Sequence, residues 1–146
     1  MNAAILLISM FALLVSANGN AQSSSHKNLT VQVTGISPTS GKVGILIFKN
    51  AEGFPYDHKA AVLQKFVSAG EAANGFEFSG LEPGTYAVAV MHDTNSNGRL
   101  DTNLLGIPKE GYGVSNDALR MMGPPQFAEC SFQLRATART EIRMHY

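Results

Sequence analysis

Apolar residues recur at every second position through several short stretches of this chain, and turn-forming clusters separate those stretches. Leu29, Val31 and Val33 alternate with polar neighbours before Gly35 and the run Ser37-Pro38-Thr39-Ser40-Gly41. Phe76 and Phe78 repeat the pattern, as do Cys130, Phe132 and Leu134, then Thr140, Ile142, Met144 and Tyr146. A period of two places one set of side chains on one face of a pleated strand, whereas a helix needs a period near 3.6. Beyond residue 21 no stretch carries the helical period. Val43 to Phe48 is continuously apolar and β-branched, which predicts a central strand. In Leu81-Glu82-Pro83-Gly84-Thr85-Tyr86, Pro83 presets φ and Gly84 can supply a positive φ, which predicts a turn that feeds a strand from Tyr86 to Met91. About seven short strands spaced by turns predict an all-β domain, a single antiparallel β-sandwich of immunoglobulin-like or prealbumin-like type. Two segments read less directly. Residues 60–67 suit a helix by composition and a strand by length and context, and Asn50 to His58 is a loop whose Phe54 and Tyr56 cap the core or, alternatively, line a surface groove.

The N-terminus predicts export. Ala3 to Val15 is apolar except for Ser9, and small and polar residues follow as far as Gly19-Asn20-Ala21. The run is shorter than the roughly 20 residues that span a bilayer. Gly19 and Ala21 form a small-x-small site with cleavage before Gln22; cleavage after Ala17, or an uncleaved anchor, are the alternatives. The expected organisation is a signal peptide at 1–21, a flexible lead at 22–28 and one sandwich domain at 29–146, in the periplasm or secreted. No cysteine stands near the cleavage site to carry a lipid, and no later stretch is apolar enough to cross a membrane. Lys and Arg total 11 against 11 Asp and Glu, with neither sign clustered, so the basic footprint of a nucleic-acid binder is missing. The lone cysteine, Cys130, excludes an internal disulfide and shares strand parity with Phe132 and Leu134, as a buried small hydrophobe would.

One loop carries candidate chemistry. His92-Asp93-Thr94-Asn95-Ser96-Asn97-Gly98-Arg99-Leu100-Asp101 places oxygen-bearing side chains at alternate positions around a glycine. Calcium takes about six to eight oxygen ligands, which a short loop supplies when alternate side chains converge and a glycine allows the sharp turn. Asp93, Asn95 and Asn97 fit the first, third and fifth positions of such a loop, with Gly98 at the sixth. Arg99 would offer its carbonyl, Leu100 would pin the loop to the core, and Asp101 would fill the ninth position. The twelfth position, a bidentate Glu in an EF-hand, is Leu104 here, so flanking helices are not expected. Two carboxylates imply weak binding, on the order of 10⁻⁴ to 10⁻³ M, and a structural ion. Magnesium's octahedral demand and zinc's need for nitrogen or sulfur ligands disfavour both. The metal-free alternative is a turn at Asn97-Gly98, with Asp93 and Asn95 bonded to backbone amides.

Thr102 to Phe127 is long for a loop, and loops of such length close a core or carry function. Lys109, Glu110, Tyr112, Ser115 and Asn116 in it, together with His92, form the candidate binding face. The pattern His-Asp-x-Asn-x-Asn-Gly-x-Leu-Asp-Thr-Asn at 92–103, followed by Gly-Ile-Pro-Lys-Glu-Gly-Tyr-Gly-Val-Ser-Asn at 106–116, resembles the exported bacterial family catalogued as domain of unknown function 2141. The resemblance runs from Leu29 to Tyr146 and includes the Leu-x-Pro-Gly-x-Tyr turn. It implies a secreted or periplasmic sandwich and no particular reaction.

Three functions are compatible with these residues. The first is a non-enzymatic module whose 92–116 face binds a small molecule, glycan or envelope protein. The second is a hydrolase with His92 as general base, Asp93 or Glu110 nearby and Ser115 as nucleophile, although a Gly-x-Ser-x-Gly elbow and a paired-His zinc motif are both missing. The third is an outer-membrane accessory or assembly factor that docks through an edge strand.

Overall fold

A computed structural model describes residues 26–146. The signal segment, its cleavage site and the lead as far as residue 25 lie outside the described residues. Eight strands follow: β1 (Lys27–Thr34), β2 (Lys42–Phe48), β3 (Leu63–Ser68), β4 (Phe76–Leu81), β5 (Gly84–Asp93), β6 (Tyr112–Val114), β7 (Phe132–Leu134) and β8 (Ala138–Arg143). Two single helical turns, α1 (Ala69–Ala72) and α2 (Phe127–Cys130), interrupt them. The molecule is therefore mostly β, in a three-stranded sheet ordered β4-β1-β8 and a five-stranded sheet ordered β3-β2-β5-β6, with β7 also paired to β5.

The period-two stretches form the expected strands. Leu29, Val31 and Val33 of β1 are buried between less buried neighbours, and Phe76 and Phe78 are buried in β4. Residues 60–67 resolve in favour of strand. Leu63 to Ser68 pairs antiparallel with β2, from Ile47 opposite Leu63 to Lys42 opposite Ser68, because the open edge of β2 supplies the backbone partners that an isolated helical turn would lack. Four points differ from expectation. First, β1 begins at Lys27, so the fold includes the end of the predicted lead. Second, β1 and β8 pair in parallel, Leu29 opposite Ala138 through Thr34 opposite Arg143, while every other pairing between the named strands is antiparallel. Third, Cys130 ends a helical turn instead of opening a strand, although it is fully buried. Fourth, residues 102–127 are no plain loop, since they contain β6 and a 3₁₀ turn over Ser115–Asp117.

The burial pattern explains β2 and β5. One apolar cluster takes residues from both sheets, including Leu29, Val31, Val43, Ile45, Phe76, Tyr86, Val88 and Ile142. A second cluster lies on the opposite face of the larger sheet, where Leu46, Phe48, Ala87, Ala89, Val114 and Cys130 meet Phe54, Leu119 and Phe127. Phe54 stands edge-on to Phe48, with centroids 5.2 Å apart, and to Phe127 at 5.9 Å. A strand covered on both faces reads as an unbroken apolar run, which is the sequence of β2. The 50–61 loop and the 118–130 segment supply that second cover, so Phe54 does cap a core, on the outer face of the five-stranded sheet.

Candidate functional site

The 93–101 loop leaves the end of β5 and is closed by its own side chains. Asp93, 1% exposed, accepts the N–H of Asn97 on Oδ1 (2.9 Å) and that of Gly98 on Oδ2 (2.7 Å). Asn95 Oδ1 also accepts from the Asn97 N–H at 3.1 Å, and Asn97 Oδ1 accepts from the Arg99 N–H at 3.0 Å. These Asx turns are what Asp and Asn do where a chain must reverse without strand partners. Gly98 has φ +83°, in the left-handed region that glycine enters without steric cost. The amides of Asn95 (2.7 Å) and Asn97 (3.0 and 3.1 Å) donate to Asp101, and Arg99 Nε lies 3.5 Å from it. Those amide bonds, Asn97 foremost, hold the Asp101 carboxyl below its ordinary value of 3.8. Leu100 is half-buried and lines a small apolar space with Leu46, Ala89 and Met91, without joining either apolar cluster.

Glu110 is the residue that organises this end of the molecule. Its buried carboxylate accepts the N–H (2.8 Å) and hydroxyl (2.7 Å) of Thr94 on Oε1 and the Asp101 N–H (2.9 Å) on Oε2. The Lys109 N–H donates to the Asp101 carbonyl at 2.8 Å, so the incoming 108–110 segment is stitched to the loop at two adjacent residues. A carboxylate taking three donors, one of them a hydroxyl, is a strong and directional brace.

The structure divides the proposed binding face. His92 is fully buried: its Nε2 faces the Ser40 carbonyl at 2.7 Å and its Nδ1 the Tyr146 hydroxyl at 2.7 Å. A carbonyl only accepts, so Nε2 carries the proton, and Nδ1 accepts from Tyr146, whose oxygen in turn accepts the Ser37 N–H at 2.8 Å. Ser115 is equally buried; its hydroxyl accepts the Val88 N–H at 2.9 Å and donates to the Cys130 carbonyl at 2.6 Å. His92, Glu110 and Ser115 therefore serve the interior and do not line an open face, because each sits where β5, β6 or a neighbouring turn needs a polar partner. His92 and Ser115 do not bond each other. Lys109 and Asn116 are exposed, and Asn116 donates its amide to the carbonyls of Glu129 (3.1 Å) and Ser131 (3.0 Å). Tyr112 alone of the set borders a recess.

That recess, about 460 Å³, lies between the 105–108 turn and the 120–125 segment, with Tyr56 and Tyr112 among its walls. Burial, with a smaller contribution from Tyr112, pushes the Tyr56 phenol above its ordinary 10.0. The sequence pointed to Tyr56 and Tyr112 as residues that could line a groove or binding face, but not to walls built from Leu105, Ile107 and Met121. The signals for those walls are the apolar pairs Leu104-Leu105 and Met121-Met122, which fit no strand parity and flank glycines.

No curated protein and no solved structure matches the chain. A family model described as an uncharacterised protein conserved in bacteria, DUF2141, matches residues 31–143. That interval contains the Asx loop, the Glu110 brace and the recess, and with them nearly every element from β1 to β8; the chain belongs to the DUF2141 family.

Proposed function

We propose that the protein is an exported, non-enzymatic β-sandwich module in which a calcium ion stabilises the 93–101 loop and the adjacent 102–127 segment forms the binding surface. The two sheets are taken as the faces of one sandwich, an arrangement supported by the cluster that draws on both. The observation that carries the ion is the convergence of Asp93, Asn95, Asn97 and Asp101 within one loop. With calcium, the Asn amides would turn their oxygens inward and Asp101 would exchange amide donors for the ion, while Glu110 continues to hold the backbone of Thr94 and Asp101. The fixed partners of His92 and Ser115 support a non-catalytic reading. Export is supported by the apolar 3–15 stretch and the small-x-small site before Gln22.

Calorimetric titration tests the ion. The wild type is expected to bind calcium with a dissociation constant on the order of 10⁻⁴ to 10⁻³ M. At a hundredfold excess over that constant, stability should rise by about 2.7 kcal/mol. The Asp93→Ala/Asp101→Ala double variant should give neither heat nor stabilisation. A wild type with no binding heat and an unmoved melting temperature removes the ion from the proposal.

A further inference from the structure

Among the described residues two asparagines stand before glycine, Asn74-Gly75 between α1 and β4 and Asn97-Gly98 in the Asx loop. Both asparagines are exposed, and both glycines have positive φ, +82° and +83°. Asparagine in this setting carries an intrinsic reaction: the glycine nitrogen, with no Cβ beside it, reaches the side-chain carbonyl carbon and closes a succinimide ring. The two sites differ in what holds the reacting atoms.

We propose that Asn74 is a site of spontaneous covalent modification, deamidating through a succinimide in the folded protein, and that the hydrogen bonds of the 93–101 loop withhold the same reaction from Asn97. In the first step the Gly75 nitrogen bonds to Asn74 Cγ and gives up its proton, the Cγ–Nδ2 bond breaks, and Nδ2 leaves as ammonia with that proton. Water then opens the ring. Addition at Cγ leaves aspartate in the ordinary chain, and addition at the backbone carbonyl carbon leaves isoaspartate, whose chain runs through the side chain. One water enters and one ammonia departs, with no other reactant.

Ring closure needs a glycine nitrogen that can shed its proton and a carboxamide that can turn toward it. At Gly98 the N–H lies 2.7 Å from the buried Asp93 carboxylate, so a nitrogen losing its proton there would set negative charge against an anion. The Gly75 N–H faces only the neutral Ala72 carbonyl, at 3.3 Å. Asn97 Oδ1 takes the Arg99 N–H at 3.0 Å, and its Nδ2 is tied to both oxygens of Asp101 at 3.0 and 3.1 Å. The Asn74 side chain takes part in no hydrogen bond among the described residues. Its backbone also opens at little cost. Asn74 follows α1, a single turn closed here by its own N–H on the Glu71 carbonyl (3.0 Å) and that of Gly75 on Ala72, and a lone turn is marginal by itself. Asp93 instead grips the other turn twice, with Oδ1 on the Asn97 N–H and Oδ2 on that of Gly98.

Lys65 and Arg99 bound one tryptic fragment that contains both asparagines, so a single sample yields both rates. The full chain is aged in neutral buffer, folded or in urea, with chelator so that the outcome is independent of any ion in the 93–101 loop. Electron-transfer fragmentation of that peptide reads, at each asparagine, the mass gained as amide becomes carboxyl and the share of isoaspartate. The folded chain should convert Asn74 at least about tenfold faster than Asn97, and urea should bring the two rates together. Asp93→Asn, which keeps the size and removes the charge, should speed Asn97 in the folded chain and leave Asn74 as it was. Asp101→Ala, nearer the surface, frees the Asn97 carboxamide and should also speed it, which keeps the test open if the Asp93 variant fails to fold. Equal rates in the folded chain, a faster Asn97, or an Asn74 that converts only in urea overturns the proposal. So does an Asn97 rate that neither substitution raises, or a difference that persists in urea, since that outcome assigns it to the neighbouring sequence and not to the fold.

Discussion

At the scale of single residues, Glu110 and Asp101 do different work in one loop. Glu110 is buried and accepts three hydrogen bonds across the loop's mouth. Glu110→Ala is therefore expected to cost about 1–3 kcal/mol in urea unfolding, because buried donors lose their acceptor. Hydrogen exchange should show faster amides at Thr94 and Asp101 with the sheets unaffected. Asp101 lies nearer the surface, and its consequence is a pH dependence. Its folded carboxyl titrates below 3.8, so its stabilising contribution is complete above that value and is lost as pH falls through the lower folded value. In metal-free buffer, Asp101→Asn should melt below wild type at neutral pH, and the gap should close as the solution is acidified below 3.8. A gap that stays constant to low pH would show that the carboxylate's charge contributes nothing. Sequence spacing made Asp93, Asn95, Asn97 and Asp101 legible as one loop because their contacts are local. It could not give Glu110 its role, since the Thr94 and Asp101 donors lie 16 and 9 residues away.

Among the elements, β6 shows how a three-residue strand is fixed by its neighbours. Tyr112, Gly113 and Val114 pair with Met91, Val90 and Ala89 of β5, while Tyr112 also exchanges backbone hydrogen bonds with His145, each 2.9 Å. The segment thus ties the larger sheet to the chain's C-terminal end. Gly113 makes that approach feasible: a Cβ there would overlap the Arg143 carbonyl and come within 2.8 Å of Ile142 Cγ2. Gly113→Ala should lower the denaturation midpoint by about 1–3 kcal/mol equivalent with an unchanged slope. A neutral result would mean that β6 and β8 can part without loss. Tyr112-Gly113-Val114 has neither the length nor the alternation that identifies a strand from sequence, so it was read as loop. Cys130 illustrates the converse. Its parity suggested a strand, the backbone formed a helical turn, and burial survived the change; the apolar setting pushes its thiol up to about 11.

On the scale of the whole molecule, the five-stranded sheet contributes to two apolar clusters, one that it shares with the smaller sheet and one with the 50–61 and 118–130 segments. The outer cover leaves Leu104, Leu105, Met121 and Met122 in solvent, Leu105 and Met121 at the border of the recess. The sequence by itself determined what depends on near neighbours: the period-two strands, the Asx loop around Gly98 and the mostly β character of the chain. The tertiary structure alone decided the parallel pairing of β1 with β8, the strand at 63–68, the burial of His92 and Ser115, and the second apolar layer. Each of these depends on a partner distant in the chain, whose backbone groups and apolar surface become available only once the sheets have formed.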